Sequence, residues 1–125
     1  MPIHESGENY LETILMLQRQ NGFVRSVDVA NALDYTKASI SRAMRILKEN
    51  GYIVIARSGQ IELTEKGIKK AEDVYERHTL IAQYLEVILG LDTKTAEQDA
   101  CRIEHVISID AVEAMRRCLK EKMGY

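Results

Sequence analysis

Tryptophan is absent from this sequence, phenylalanine occurs once, and aromatic residues make up only 6% of the chain. A core must therefore be assembled from Leu, Ile, Val, Ala and Met. Proline occurs once, at Pro2, so nothing later in the chain forbids a long helix. No apolar run approaches the ~20 residues that span a bilayer, and no signal-peptide pattern opens the chain. These absences predict a soluble, cytoplasmic protein with no membrane partner. Cysteine occurs twice, at Cys101 and Cys118. Two thiols make no disulfide framework in that compartment, and their separation fits no cysteine-rich zinc pattern.

Net positive charge is also missing: the formal charge is −2, which argues against nucleic acid at first sight. Its distribution argues the other way. Residues 19–60 hold seven bases (Arg19, Arg25, Lys37, Arg42, Arg45, Lys48, Arg57) against three acids (Asp28, Asp34, Glu49), a local excess of four positive charges. Residues 1–18 hold three acids and no Lys or Arg, and residues 91–113 hold six acids against two bases. One segment is built to meet an anion and two to meet a cation.

The 125 residues fit one domain, or two small ones sharing a helix. Tyr10, Leu11, Ile14, Leu15 and Leu17 mark an amphipathic helix over 5–19, stopped by Asn21-Gly22. Ser26 is placed to cap a short helix over 27–33. Asp34-Tyr35 turns the chain, and Thr36 caps a third helix reaching 49, with Ile40, Ala43, Met44 and Leu47 inward. After Asn50-Gly51 the period changes. The β-branched run 52–56, a turn over 57–60 and the return 61–63 predict a hairpin. A long helix over 64–89 ends at Gly90. Asp92 or Thr93 caps a helix over 95–107, and Ser108 caps the last, over 109–123. Cys118 reads as core, and His4, near the terminus, carries no role.

Helix, short helix, turn, third helix and hairpin make a winged helix-turn-helix, so the expected class is mainly α. That module occupies 1–63, the long linking helix 64–90, and a helical metal-binding and dimerisation domain 91–125. The third helix presents Lys37, Ser39, Ser41, Arg42 and Arg45 opposite its apolar face, small or cationic side chains suited to a major groove. Arg57, Ser58 and Gln60 fall at the hairpin tip, where a wing meets phosphates or the minor groove. The alternative is a solvated polar face on a metal-independent winged-helix regulator or protein-interaction module.

Glu97, Cys101, Glu104 and His105 recur at i, i+4, i+7 and i+8, one face of a helix. Thiolate, carboxylates and imidazole there form half of a metal site, with His78 on the long helix as the natural complement and Glu12 or the Asn9 amide as contributors from the first helix. Against this, a lone helical Cys is usually a small buried hydrophobe, and Glu104-His105 reads equally as a surface pair. A thiol enzyme using Cys101 with His105 lacks a third orienting group and an oxyanion hole, so no enzyme is expected.

The order winged helix-turn-helix, Tyr75-Glu-Arg-His78 and Asp99-Ala-Cys101-Arg-Ile-Glu104-His105-Val, preceded by Glu8-Asn9-Tyr10-Leu11-Glu12-Thr-Ile, resembles the diphtheria-toxin-repressor family of iron- and manganese-dependent regulators over essentially the whole chain. The resemblance implies a homodimer formed by the helices after residue 91. Its two wings would face a palindromic double-stranded DNA operator, and metal uptake genes would be repressed when metal is plentiful. It implies that Cys101, Glu104 and His105 match one metal site of iron-type members, His78 a ligand of the second, and Glu12 a ligand of manganese-type members. Asn9 stands where Met or Asp is usual, Ala82 where iron-type members carry a Glu, and Glu97 where they carry a His. The sequence ends before an SH3-like domain, as in the short manganese-type regulators. The soft thiolate favours Fe2+, while Glu12 and the short length favour Mn2+. Iron is expected first and manganese next, with Zn2+, Co2+ or Ni2+ able to bind in vitro.

Overall fold

The computed structural model describes residues 5–124. Its elements run α1 (Glu5–Asn21), α2 (Ser26–Leu33), α3 (Lys37–Glu49), β1 (Ile53–Ile55), β2 (Ile61–Leu63), α4 (Glu65–Val87), α5 (Thr93–Ile103) and α6 (Ile109–Met123). Two compact units result, Met1–Glu72 and Asp73–Tyr125, and the boundary falls inside α4. His4 lies outside the described residues.

In the first unit, α1, α2, α3 and the hairpin close over Leu11, Ile14, Val24, Val29, Ile40, Met44, Leu47, Ile53 and Ile61. The hairpin is antiparallel, pairing Ile53 with Leu63, Val54 with Glu62 and Ile55 with Ile61. Ile53, Ile61 and Leu63 point into the core, while Val54 and Glu62 face outward, the alternation a half-buried ribbon requires. The segment before α2 joins this ribbon: the Ile61 N–H donates to the Val24 carbonyl at 2.7 Å, and Arg25 pairs with Gln60. Mainly helical architecture with a two-stranded wing is therefore what the chain forms.

The helix ends differ in instructive ways from expectation. Arg25, not Ser26, is the N-cap of α2, and its N–H donates to the Asp28 carboxylate at 2.9 Å. Asp28 satisfies an otherwise orphan donor from within the helix, so Ser26 is free to be helical. Asp34 closes α2 in the left-handed conformation (φ 56°), which Asp tolerates better than most residues. Thr36 caps α3 as expected, accepting from Ser39 N–H at 3.2 Å.

A joint at the far end of α3 had no counterpart in the sequence pattern. The Thr64 hydroxyl donates to the Gly51 carbonyl at 2.6 Å, and Lys66 Nζ donates to the Asn50 carbonyl at 2.8 Å. The same ammonium lies 4.3 Å from the Tyr52 ring centroid. The first turn of α4 thus terminates α3, and a cation sits at the negative end of the α3 dipole. Gly67 makes the approach possible, since a Cβ there would stand 2.0 Å from the Tyr52 carbonyl oxygen.

The second unit is built from the rest of α4 with α5 and α6, around Ile81, Ala82, Leu85, Ala96 and Ala100. Asp92 caps α5 by accepting from Thr95 N–H at 2.7 Å, and Ser108 caps α6 by accepting from Ala111 N–H at 3.1 Å. Helix α5 stops at Ile103, four residues short of the predicted end. Val106 and Ile107 N–H groups both reach the Ile103 carbonyl, tightening the chain into a turn before the Ser108 cap. His105 therefore lies past the helix, and the i+8 placement expected for it does not hold. Cys118, expected in the core, is half-buried. Among the described residues no helix is long and apolar enough to cross a membrane.

Candidate metal centre and nucleic-acid interface

Helix α4 carries His78, α5 carries Glu97 and Cys101, Glu104 forms the α5 C-cap, and His105 follows in the turn. The structure brings four of these into one chain of contacts. His78 Nε2 lies 2.5 Å from Glu97 Oε2, and His78 Nδ1 lies 2.7 Å from Glu104 Oε2. His105 Nε2 stands 3.2 Å from the other oxygen, Glu104 Oε1. That last contact has the distance of an ion pair but not the alignment of a hydrogen bond, and Oε1 is left buried with none among the described residues.

Glu104 is fully buried. A carboxylate in that position costs several kcal/mol of solvation unless its oxygens are engaged. One oxygen is served by His78 and the other is not hydrogen-bonded, so the site has an unfilled coordination demand. Two imidazoles beside one buried carboxylate, with Glu97 on the far nitrogen of His78, offer the nitrogen and oxygen donors that a divalent transition metal takes. Cys101 shares the α5 face with Glu97 and Glu104 and is exposed, outside any disulfide. Ala82 is buried in the core of this unit and contributes no donor.

Asn9 and Glu12 lie on α1 in the first unit, Asn9 half-buried and Glu12 buried. Glu8, beside them and also buried, is paired with Lys70 Nζ at 3.0 Å, which ties α1 to the start of α4. Tyr10, next in line, meets Tyr35 edge-on, with centroids 6.0 Å apart and ring planes at 82°. Burial, and secondarily the nearby Tyr35 hydroxyl, push the Tyr10 phenol above its ordinary value.

Of the residues expected to meet DNA, Lys37, Ser39, Ser41, Arg42 and Arg45 are all exposed on α3. Ser39 is partly engaged locally, since its hydroxyl accepts from Thr36 Oγ1 at 3.0 Å. Arg57 and Ser58 form the exposed wing turn and Gln60 closes it: its carbonyl accepts from Ala56 N–H, and it also pairs with Arg25. The pairing places Arg25, an exposed cation, beside the wing, a position periodicity alone does not reveal because the partners are far apart in sequence.

Comparison with known proteins agrees with this geometry. Residues 3–60 match the family model for the iron dependent repressor N-terminal DNA binding domain, and residues 64–122 match that for the iron dependent repressor metal binding and dimerisation domain. The chain is 33% identical over 113 residues to an uncharacterized HTH-type transcriptional regulator of Methanocaldococcus jannaschii, covering 90% of each. It is 35% identical over 108 residues to the HTH-type transcriptional regulator MntR of Shouchella clausii, covering 86% of this chain and 75% of that one. Among solved structures it resembles the manganese regulator SloR (TM-score 0.81, 22% identity) and IdeR of T. acidophilum (TM-score 0.81, 20% identity). It covers 96% and 100% of itself in those comparisons but spans only 55% and 56% of the solved chains. The chain belongs to the iron-dependent, diphtheria-toxin-repressor-type family of metal-dependent transcriptional repressors, which are regulators and not enzymes.

Proposed function

We propose that this protein is a cytoplasmic homodimeric repressor that binds a palindromic operator when loaded with Fe2+ or Mn2+, and so controls metal-uptake genes. The observation that carries the reading is the buried Glu104 carboxylate, held between His78 and His105 with one oxygen not hydrogen-bonded. His78, Glu97, Cys101, Glu104 and His105 are the proposed ligands of this unit, with Glu12 and Asn9 of α1 completing the set. A bound divalent ion would supply a positive charge that neutralises the clustered carboxylates and fixes ligand geometry. Cys101 favours iron, and the oxygen-rich remainder favours manganese; iron is placed first.

In this reading the chain's own residues do the switching. His78, Glu97, Glu104 and His105 hold the metal on the dimer module, while Glu12 and Asn9 report its presence on α1, the first helix of the DNA-binding module. Ordering α1 before DNA arrives removes part of the entropic cost of operator binding, which raises affinity by linkage. Arg42, Arg45 and Lys37, with Ser39 and Ser41, would read or flank bases, and Arg57, Ser58 and Gln60 would anchor the wing on the backbone.

The test is operator affinity at fixed salt under anaerobic conditions, titrated with Fe2+, Mn2+, Zn2+ or chelator. The probe is a palindromic site upstream of a metal-uptake gene. Binding tightened by Fe2+ or Mn2+ and lost on chelation is expected. Equal binding in metal and in chelator would leave a DNA-binding protein without the switch.

A further inference from the structure

One route from α1 to the N-terminal end of α3 runs through a contact between two rings. Tyr10 lies between Asn9 and Glu12, the two α1 residues assigned to the metal. Tyr35 lies in the turn between Asp34 and Thr36, and its ring meets Tyr10 edge-on at 6.0 Å and 82°. The Tyr35 backbone is itself fixed, because its N–H donates to the Ala30 carbonyl at 3.0 Å behind the left-handed Asp34. The next residue, Thr36, caps α3 and holds Ser39 through both its backbone N–H and its hydroxyl. Only Tyr35 and Thr36 therefore separate the Tyr10 ring from Lys37 and Ser39 at the reading end.

Burial does not account for Tyr35. It is 46% exposed, whereas Leu11, Ile14 and Ile40 are essentially inaccessible and already seal the core between these helices. What the ring adds is direction. An edge-to-face contact depends on ring orientation through the aromatic quadrupole, so it transmits a rotation of α1 where a greasy contact would slide.

We propose that Tyr10 and Tyr35 are the positioning pair through which ordering of α1 by metal sets the N-terminal end of the recognition helix. The inference rests on the metal-gated reading given above. Neither residue touches the metal in this scheme; both act through α1 and α3.

The experiment measures operator affinity in Mn2+ and in chelator for the wild type, Tyr10→Leu, Tyr35→Leu, the double variant and Tyr35→Phe. Each single leucine variant is expected to lose about two- to tenfold of the metal-induced gain, the range an aromatic pair contributes. The double variant should lose no more than either single one, and Tyr35→Phe, which keeps the ring edge, should behave as wild type. Affinity in chelator and the thermal midpoint should barely move, which separates coupling from mere stability or a lost phosphate contact. Reciprocally, operator should raise Mn2+ affinity less in the leucine variants, by the same factor. A readout without DNA is near-ultraviolet circular dichroism, which tyrosine dominates here because the chain has no tryptophan. Its change on Mn2+ addition should shrink in Tyr35→Leu. A wild type with no metal-induced gain would bring down the metal-gated reading, and this inference with it. A wild type that gains while every variant gains equally, or single losses that simply add in the double variant, would overturn the pair alone.

Discussion

His78 is held between two carboxylates, with Glu104 Oε2 at 2.7 Å from Nδ1 and Glu97 Oε2 at 2.5 Å from Nε2. The Glu104 carboxylate is fully buried, one oxygen facing His78 and the other facing His105, so its charge lies beside imidazoles and not water. Glu104→Gln preserves shape and removes that charge. Mn2+ affinity by calorimetry should fall by more than about tenfold, with the thermal midpoint of the metal-free protein unchanged or raised. Unchanged affinity would remove Glu104 from the ligand set.

His105 follows α5 in a turn, where its side chain can be lost without breaking a helix. His105→Ala should abolish the metal-dependent component of operator binding while leaving circular dichroism essentially native. A variant that still responds fully to metal would sink the site assignment.

Arg42 and Arg45 are both exposed on α3. Whichever contacts a phosphate should, as Ala, weaken all sequences alike and reduce the salt slope by about one. Loss of a base contact should instead cost about 1–3 kcal/mol at one operator position and relax specificity there. Competition binding across operator variants at several salt concentrations distinguishes the two. If neither substitution changes affinity, α3 is not the reading helix.

Gly67 is the close-approach point of the joint between α4 and the α3–β1 corner, where a Cβ would stand 2.0 Å from the Tyr52 carbonyl oxygen. Because the obstacle is backbone, Gly67→Ala must displace α4 from that corner, at a cost of about 1–3 kcal/mol. Urea denaturation should show a lower midpoint. The favourable helix propensity of Ala opposes this, so an unchanged midpoint would show that the corner yields freely.

Asp92 caps α5, and the hydrogen bonds from Thr95 hold its carboxyl below the ordinary 3.8. A lowered folded pKa means that the cap's stabilisation is complete above 3.8 and fades as pH falls from there through the lowered value. Asp92→Asn, still an acceptor, should lose the pH dependence but keep the cap, whereas Asp92→Ala should lose both. Thermal midpoints of the three proteins between about pH 2 and pH 6 check this; parallel profiles would exclude Asp92 as a contributor.

Local chemistry determined most of the elements. Apolar spacing at Leu11, Ile14 and Leu15, the Thr36, Asp92 and Ser108 caps, and the β-branched runs around the Arg57–Gln60 turn act within a few residues, so they are legible in sequence. The candidate ligands were legible for the same reason: Glu97, Cys101 and Glu104 recur at helical spacing on one element. Tertiary structure alone decided the rest. It ended α5 at Ile103 and carried His105 into a turn, because the Ile103 carbonyl takes two N–H donors ahead of the Ser108 cap. It set Arg25 beside Gln60, brought Lys66 and Thr64 onto the end of α3, and joined Tyr10 to Tyr35. Such partners lie 13 to 35 positions apart. Periodicity carries no signal at those separations, because which side chains meet there is fixed by how whole helices pack and not by the residues between them.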